Sequence, residues 1–241
     1  MNELHKEVAA CAAKSRYNTL FHLLRREYTK KGRPLKGTFE LTPHCTLDCK
    51  MCYVHAPSGN YPGRVMTGDE WIHIIDAAVD AGMLYAVLTG GECMVHPDFR
   101  RVYTHLKERG VFTAILSNGT LLDEEMVSFL RSSPPRFIRI SVYGSCPEVY
   151  ERVTGCGRAF HTVDRALNLL HEAGIVTDIS VTVSRYNYED FENLLSYVQS
   201  KPHANLSIDC DMQEPRSETG RKLATFALGI EEQERSLASL F

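Results

Sequence analysis

Apolar residues along this chain fall into two alternating patterns. Short runs rich in Val, Ile and Leu are separated by longer stretches in which apolar positions recur every third or fourth residue. The runs near Thr38–Thr42, Leu84–Leu88, Val111–Leu116, Phe137–Val142, Ile175–Val183 and Ala204–Cys210 read as six buried strands. The stretches between them read as helices. Thr67 and Glu70 form a capping-box pair ahead of Trp71, Ile74, Ile75 and Ala78, and Pro97 suits the first turn of a helix that packs Phe99, Val102 and Leu106. Further helices are expected around Asp123–Arg131, Phe160–Ala173 and Glu189–Gln199.

One phrase repeats. A helix-like stretch ends in Gly and passes directly into an apolar run, as DAGMLYAVL (Asp80 to Leu88), ERGVFTAIL (Glu108 to Leu116) and EAGIVTDIS (Glu172 to Ser180). Gly82, Gly110 and Gly174 suit the left-handed position that closes a helix. Strands alternating with helices through right-handed crossovers give an α/β fold with a parallel sheet. Six units curve into a partial (β/α)6 TIM-like barrel with an open side. Residues 1–36 form a short N-terminal helical extension, and 37–241 a single core. From Met212 the character changes to a loop, with a last helix over Ile230 to Leu240.

Composition narrows the function. The 241 residues are 44% apolar and carry a net charge of −3, which gives no reason to expect nucleic acid or an anionic membrane as partner. The basic residues of the first segment, among them Arg25, Arg26, Lys30 and Arg33, interleave with Leu20, Phe21, Leu23 and Leu24 and read as a solvated helix face. No apolar run reaches the roughly 20 residues of a membrane span, and the N-terminus lacks a signal-peptide core. A cytoplasmic location follows. Eight cysteines in a reducing compartment then point to metal or redox chemistry rather than disulfides.

Directly after the first strand stands HCTLDCKMCY, with Cys45, Cys49 and Cys52 spaced C-x3-C-x2-C. Three close thiolates at the carboxyl end of a barrel strand can hold three irons of a cubane and leave the fourth open. Taken alone, the cysteines also allow a zinc site completed by His44 or His55, although structural zinc usually uses two separated pairs. LTGGE (Leu88 to Glu92) ends the second strand, Ser117-Asn118-Gly119 ends the third, and the fourth runs into SVYGSCPEVYERVTG. Taken alone, Gly-Gly and Asn-Gly are turns, and Arg152 is a helix-face arginine.

In this order the motifs resemble the radical S-adenosylmethionine (SAM) superfamily, over about Gly37 to Cys210. The resemblance implies a [4Fe-4S] cluster on Cys45, Cys49 and Cys52, whose open iron chelates SAM. One electron then cleaves the sulfonium, and a 5′-deoxyadenosyl radical abstracts hydrogen from the substrate. It implies SAM contacts from Met51 (where relatives place an aromatic residue), from Gly90, Gly91 and Glu92 to the amino group, and from Ser117 and Asn118 to the ribose. Arg152 would pair with the SAM carboxylate, and Thr182 and Val183 would lie on the adenine.

The core most resembles the branch of peptide maturases and anaerobic sulfatase-maturating enzymes, which often carry a cysteine-rich SPASM region. No cysteine follows Cys210, so either the core is cut from a longer protein or auxiliary clusters are lacking. The leading expectation is modification of a peptide or protein side chain, with a reductase or a flavodoxin- or ferredoxin-type protein as electron donor. A small-molecule substrate of the cofactor-biosynthesis kind, and a non-catalytic fragment that binds metal or cluster, are the alternatives. Cys93, Cys146, Cys156 and Cys210 fall on the same rim; they read as catalytic thiols, as ligands of a second centre, or as small packed residues. Cys11 reads as packing.

Overall fold

The computed structural model describes residues 21–54 and 63–209. Cys11, Cys210, His55, the loop from Met212 and the last expected helix lie outside the described residues.

Six parallel strands follow one another in chain order across a single sheet: β1 (Lys36–Glu40), β2 (Tyr85–Thr89), β3 (Phe112–Ser117), β4 (Phe137–Val142), β5 (Thr177–Thr182) and β6 (Asn205–Asp209). Among the described residues, β1 and β6 pair on one side only, so the sheet stays open. The helices are α1 (Gly68–Asp80), α2 (Phe99–Glu108), α3 (Glu124–Ser132), α4 (Pro147–Thr154), α5 (Ala159–Glu172) and α6 (Phe191–Gln199).

Each helix buries one stripe. In α2 the buried residues are Phe99, Val102, Tyr103 and Leu106, and in α5 they are Ala159, Val163, Ala166, Leu167 and Leu170. They join the fully buried Ile138, Ile140 and Val142 of β4 in one core. Residues with the opposite parity face the other way, and the register lines them up across the sheet: Leu116 beside Arg139, Arg139 beside Asp178, and Asp178 beside Asn205. That inner face is polar on the β4–β6 side.

The expected punctuation is present. Gly82, Gly110 and Gly174 have φ of 111°, 72° and 69°, each just past a helix end. The capping box is complete: Thr67 Oγ1 accepts from Glu70 N–H at 3.3 Å, and Glu70 accepts from Thr67 N–H at 2.8 Å. Arg64 adds a bidentate pair on Glu70 at 2.6 and 2.7 Å, which holds that carboxyl down at about 2.

Two expectations shift. Asp98 is the N-cap of α2, so Pro97 precedes the helix rather than opening its first turn. Glu189 belongs to a short 3-10 turn ahead of α6. Helix α4 carries Arg152, read from the sequence as a helix-face residue without bounds for its helix; Pro147 in its first turn and a left-handed Gly155 after it mark its ends. Residues 21–30 are helical, and Phe21 meets Tyr85 edge-on at 5.4 Å, tying this segment to the start of β2. Arg25, Arg26, Lys30 and Arg33 are exposed, as a solvated face requires.

Candidate active site

The carboxyl ends of the strands open into a cavity of about 340 Å3, the size of a small-molecule site. Cys45, Cys49 and Cys52 line it together with Met51, Gly90, Gly91, Ser117 and Asn118. Thr182 lines it too, so nine of the twelve expected site residues meet in one place. Glu92 lies just behind the wall, Val183 is buried in the core, and Arg152 is exposed on α4.

The cysteine loop is held from three sides. Asp48 N–H donates to Thr154 O at 3.0 Å and Lys50 N–H to Val153 O at 2.9 Å, docking the loop on the end of α4. Gly91 N–H donates to Thr42 O and Glu92 N–H to His44 O, both at 2.8 Å. The Asn118 amide donates to Cys45 Sγ at 3.3 Å and to Thr46 Oγ1 at 3.0 Å.

This close approach explains the glycine pair. A Cβ on Gly90 would stand 2.3 Å from Thr42 O, and Gly90 has a φ of 143°. A Cβ on Gly91 would stand 2.4 Å from Pro43 O and 2.5 Å from His44 O. Both obstacles are main chain and cannot rotate away. In the described structure the glycines admit the cysteine loop to the end of β2.

Glu92 is 1% exposed and acts as a hub. One carboxylate oxygen accepts from Ser117 Oγ at 2.9 Å and Asn118 N–H at 2.8 Å; the other accepts from Met94 N–H at 3.2 Å and the Cys93 thiol at 3.7 Å. Burial raises its pKa, against the pull of those donors. Met51 is 8% exposed and packs on Val149 and Val153 of α4 while presenting an edge to the cavity.

The thiols suit a cationic centre. Burial raises the Cys45 pKa; the Leu47 N–H offsets part of this, and the negative charge of Glu92 adds to it. Burial together with Cys45 and Cys52 lifts Cys49 well above the ordinary thiol value. Bare thiolates at Cys45 and Cys49 are thus disfavoured, and a metal would supply the missing positive charge. Among the described residues, no three His, Cys, Asp or Glu side chains converge on a single point. Cys45, Cys49 and Cys52 line one cavity together, and three thiolates with one position left open are the protein ligands of a cubane with a free iron. The donor set fits the cluster.

Among the described residues, Cys93, Cys146 and Cys156 do not line this cavity. Cys93 is fully buried in a 3-10 turn, its thiol donating to Leu116 O at 3.6 Å. Cys146 caps α4 and packs beside Met51, and Cys156 packs against the main core. Sequence reading had not named Ser141, Tyr143 or Asp209, which also line the cavity. Their signal was parity: Ser141 and Asp209 lie on the inner face at strand ends, and Tyr143 continues that face.

The Radical SAM superfamily model matches residues 39–198. The chain is 30% identical over 152 residues to the AdoMet-dependent heme synthase of Methanosarcina barkeri, covering 63% of this chain and 43% of that one. It is 30% identical over 167 residues to the PqqA peptide cyclase of Granulibacter bethesdensis, covering 69% and 44%. It thus spans less than half the length of these relatives.

Among solved structures, it resembles Streptococcus suis SuiB bound to S-adenosylmethionine, with a TM-score of 0.68, 18% identity and coverage of 99% of this chain and 57% of that one. It also resembles native anSMEcpe with bound AdoMet and the Cp18Cys peptide, with a TM-score of 0.70, 18% identity and coverage of 86% and 59%. These likenesses establish the open α/β barrel. The superfamily's cofactors are a [4Fe-4S] cluster and SAM, in keeping with the donor set around the cavity. Matched over about two thirds of its length and carrying the cysteine motif at the mouth of the sheet, this chain belongs to the radical SAM superfamily.

Proposed function

We propose that this protein is a radical SAM enzyme acting on a peptide or protein side chain. The observation that carries the reading is the ring of Cys45, Cys49 and Cys52 around one cavity whose remaining wall comes from the ends of the neighbouring strands. In this reading the three thiolates hold the cluster and leave one iron open toward the cavity. When bound, the cluster and SAM supply a one-electron cleavage that yields a hydrogen-abstracting radical.

The chain's own residues bind and shield. Gly90 and Gly91 present main chain without side-chain bulk, Ser117 and Asn118 form the third-strand wall, and Met51 offers a polarizable thioether to an aromatic ring. Glu92 fixes the wall from behind. The expected contacts of Arg152 and Val183 rest on the resemblance alone, since neither reaches the cavity wall. Residues 37–241 are read as the core and 1–36 as an extension attached through Phe21 and Tyr85.

A peptide substrate is supported by the likeness to the PqqA peptide cyclase and to SuiB, which has been solved with its precursor peptide SuiA. The heme synthase relative favours a second reading, a small molecule in the same cavity. A flavodoxin- or ferredoxin-type protein or a reductase would supply the electron, and the cytoplasm is the compartment that keeps the thiols reduced. Among the described residues, no helix is long and apolar enough to cross a membrane.

The test is anaerobic reconstitution with iron and sulfide, then SAM and a strong reductant, with 5′-deoxyadenosine quantified against Cys49→Ala. Product from the native sequence alone supports the reading. Zinc bound in place of iron, with no product, sinks it.

A further inference from the structure

Asn118 stands on the rim where the family resemblance suggests a ribose contact, yet its side chain already has partners. Its Nδ2 donates to Cys45 Sγ at 3.3 Å and Thr46 Oγ1 at 3.0 Å. Its Oδ1 accepts from Thr120 N–H at 2.9 Å and Thr120 Oγ1 at 2.7 Å. Both amide hydrogens and both carbonyl lone pairs are engaged. The residue is 6% exposed, and its own main-chain N–H is tied to Glu92. The amide is therefore locked in one orientation, with an N–H directed at a thiol sulfur.

We propose that Asn118 is a positioning residue that sets the reduction potential of the cluster through its hydrogen bond to Cys45, and that ribose binding is not its role. The inference rests on the cluster ligation proposed above. A cluster that accepts one electron gains one negative charge, part of which resides on its thiolate sulfurs. A fixed N–H aimed at such a sulfur stabilises the reduced form more than the oxidised form, and so raises the potential. The Leu47 N–H approaches the same sulfur at 3.5 Å, a longer contact from the main chain. Low local polarity strengthens both. Of the two donors, only the Asn118 amide belongs to a side chain.

The experiment compares wild type, Asn118→Leu and Asn118→Asp after anaerobic reconstitution. Iron content, the midpoint potential by EPR-monitored titration, and SAM affinity by equilibrium dialysis are measured on each. Leu approximates the size of the amide and removes all its hydrogen bonds. Asp keeps the acceptor for Thr120, loses the donor and adds a negative charge that itself lowers the potential. Its midpoint should therefore fall further than that of Leu, and the Leu variant isolates the hydrogen bond. Both variants should hold the wild-type amount of iron, about four per chain, and both midpoints should move to more negative values. In Asn118→Leu, SAM affinity should stay within about twofold of wild type.

An unshifted midpoint with SAM binding weakened tenfold or more would overturn the proposal and make Asn118 a ligand contact. Loss of iron from both variants would also overturn it, because Asn118 would then be needed to form the cysteine loop. A wild-type protein that takes up no iron fails the ligation reading itself, which is a different result.

Discussion

Glu92 at the end of β2 accepts a hydrogen bond from Ser117 Oγ at the end of β3, at 2.9 Å and out of contact with water. The same carboxylate gathers the Asn118 and Met94 amides, so one side chain fixes the ends of two strands. Glu92→Ala would leave these donors buried without an acceptor. At about 1–3 kcal/mol for each unsatisfied group, the loss should be at least about 3 kcal/mol, read from urea unfolding. A variant within about 0.5 kcal/mol of wild type would mean that the donors find other partners.

The same residue carries a pH dependence. Its folded pKa is raised above the ordinary carboxylate value of 4.5, so the native state holds the proton more tightly. The stability this contributes is fully present below the ordinary value and is lost as pH rises through the folded one. Glu92→Gln lacks the titration. The stability gap between wild type and Glu92→Gln should therefore narrow as pH rises across that window. A gap that widened would show that Glu92 is held ionised by its donors.

Gly91→Ala should cost both stability and iron. The added Cβ meets two carbonyl oxygens of the cysteine loop, at 2.4 and 2.5 Å, so the loop must move. Gly110→Ala is the control, with a φ of 72° but open space around it; it should cost only about 1 kcal/mol of backbone strain and leave iron loading intact. Equal iron content in the two variants would remove the close-approach explanation of the glycine pair.

Cys93 should stay unmodified when the folded apoprotein is alkylated. Burial lifts its thiol well above the ordinary value, and Glu92 adds to the shift. Peptide mapping after a short exposure to iodoacetamide should find Cys45 and Cys52 labelled before Cys93. Cys93→Ala should retain the iron that Cys49→Ala loses.

Arg152 distinguishes resemblance from geometry. It is exposed in the last turn of α4, beyond the cavity wall. Arg152→Gln should change SAM affinity by no more than about twofold. A loss of tenfold or more would assign it the carboxylate contact that the resemblance implies.

Much of this architecture was legible in the sequence because it rests on local rules. Gly82, Gly110 and Gly174 stop helices wherever they stand, and the run from Phe137 to Val142 is a strand by composition. What was not legible depends on distance. Glu92 reads as the last letter of a ligand motif, but its partners Ser117 and Asn118 lie 25 and 26 residues away. Nothing in either segment announces the pairing. The bounds of helix α4 were hidden for another reason: its eight residues are too few to show helical periodicity, although Pro147 and Gly155 frame it. The inward side chains of β4–β6 follow from parity only once the strand ends are known, and Asp209 sits at the edge of the last described strand.

The three-sided grip on the cysteine loop has a consequence for biosynthesis. The thiols leave the ribosome ahead of their supports, which arrive in sequence: the glycine pair at 90 and 91, Asn118 next, and Thr154 last. Until about a hundred further residues have been made, the cysteines belong to an unsupported segment open to oxidation or to the wrong metal. On the proposed cluster ligation, iron delivery is therefore best timed to follow translation of the fourth unit.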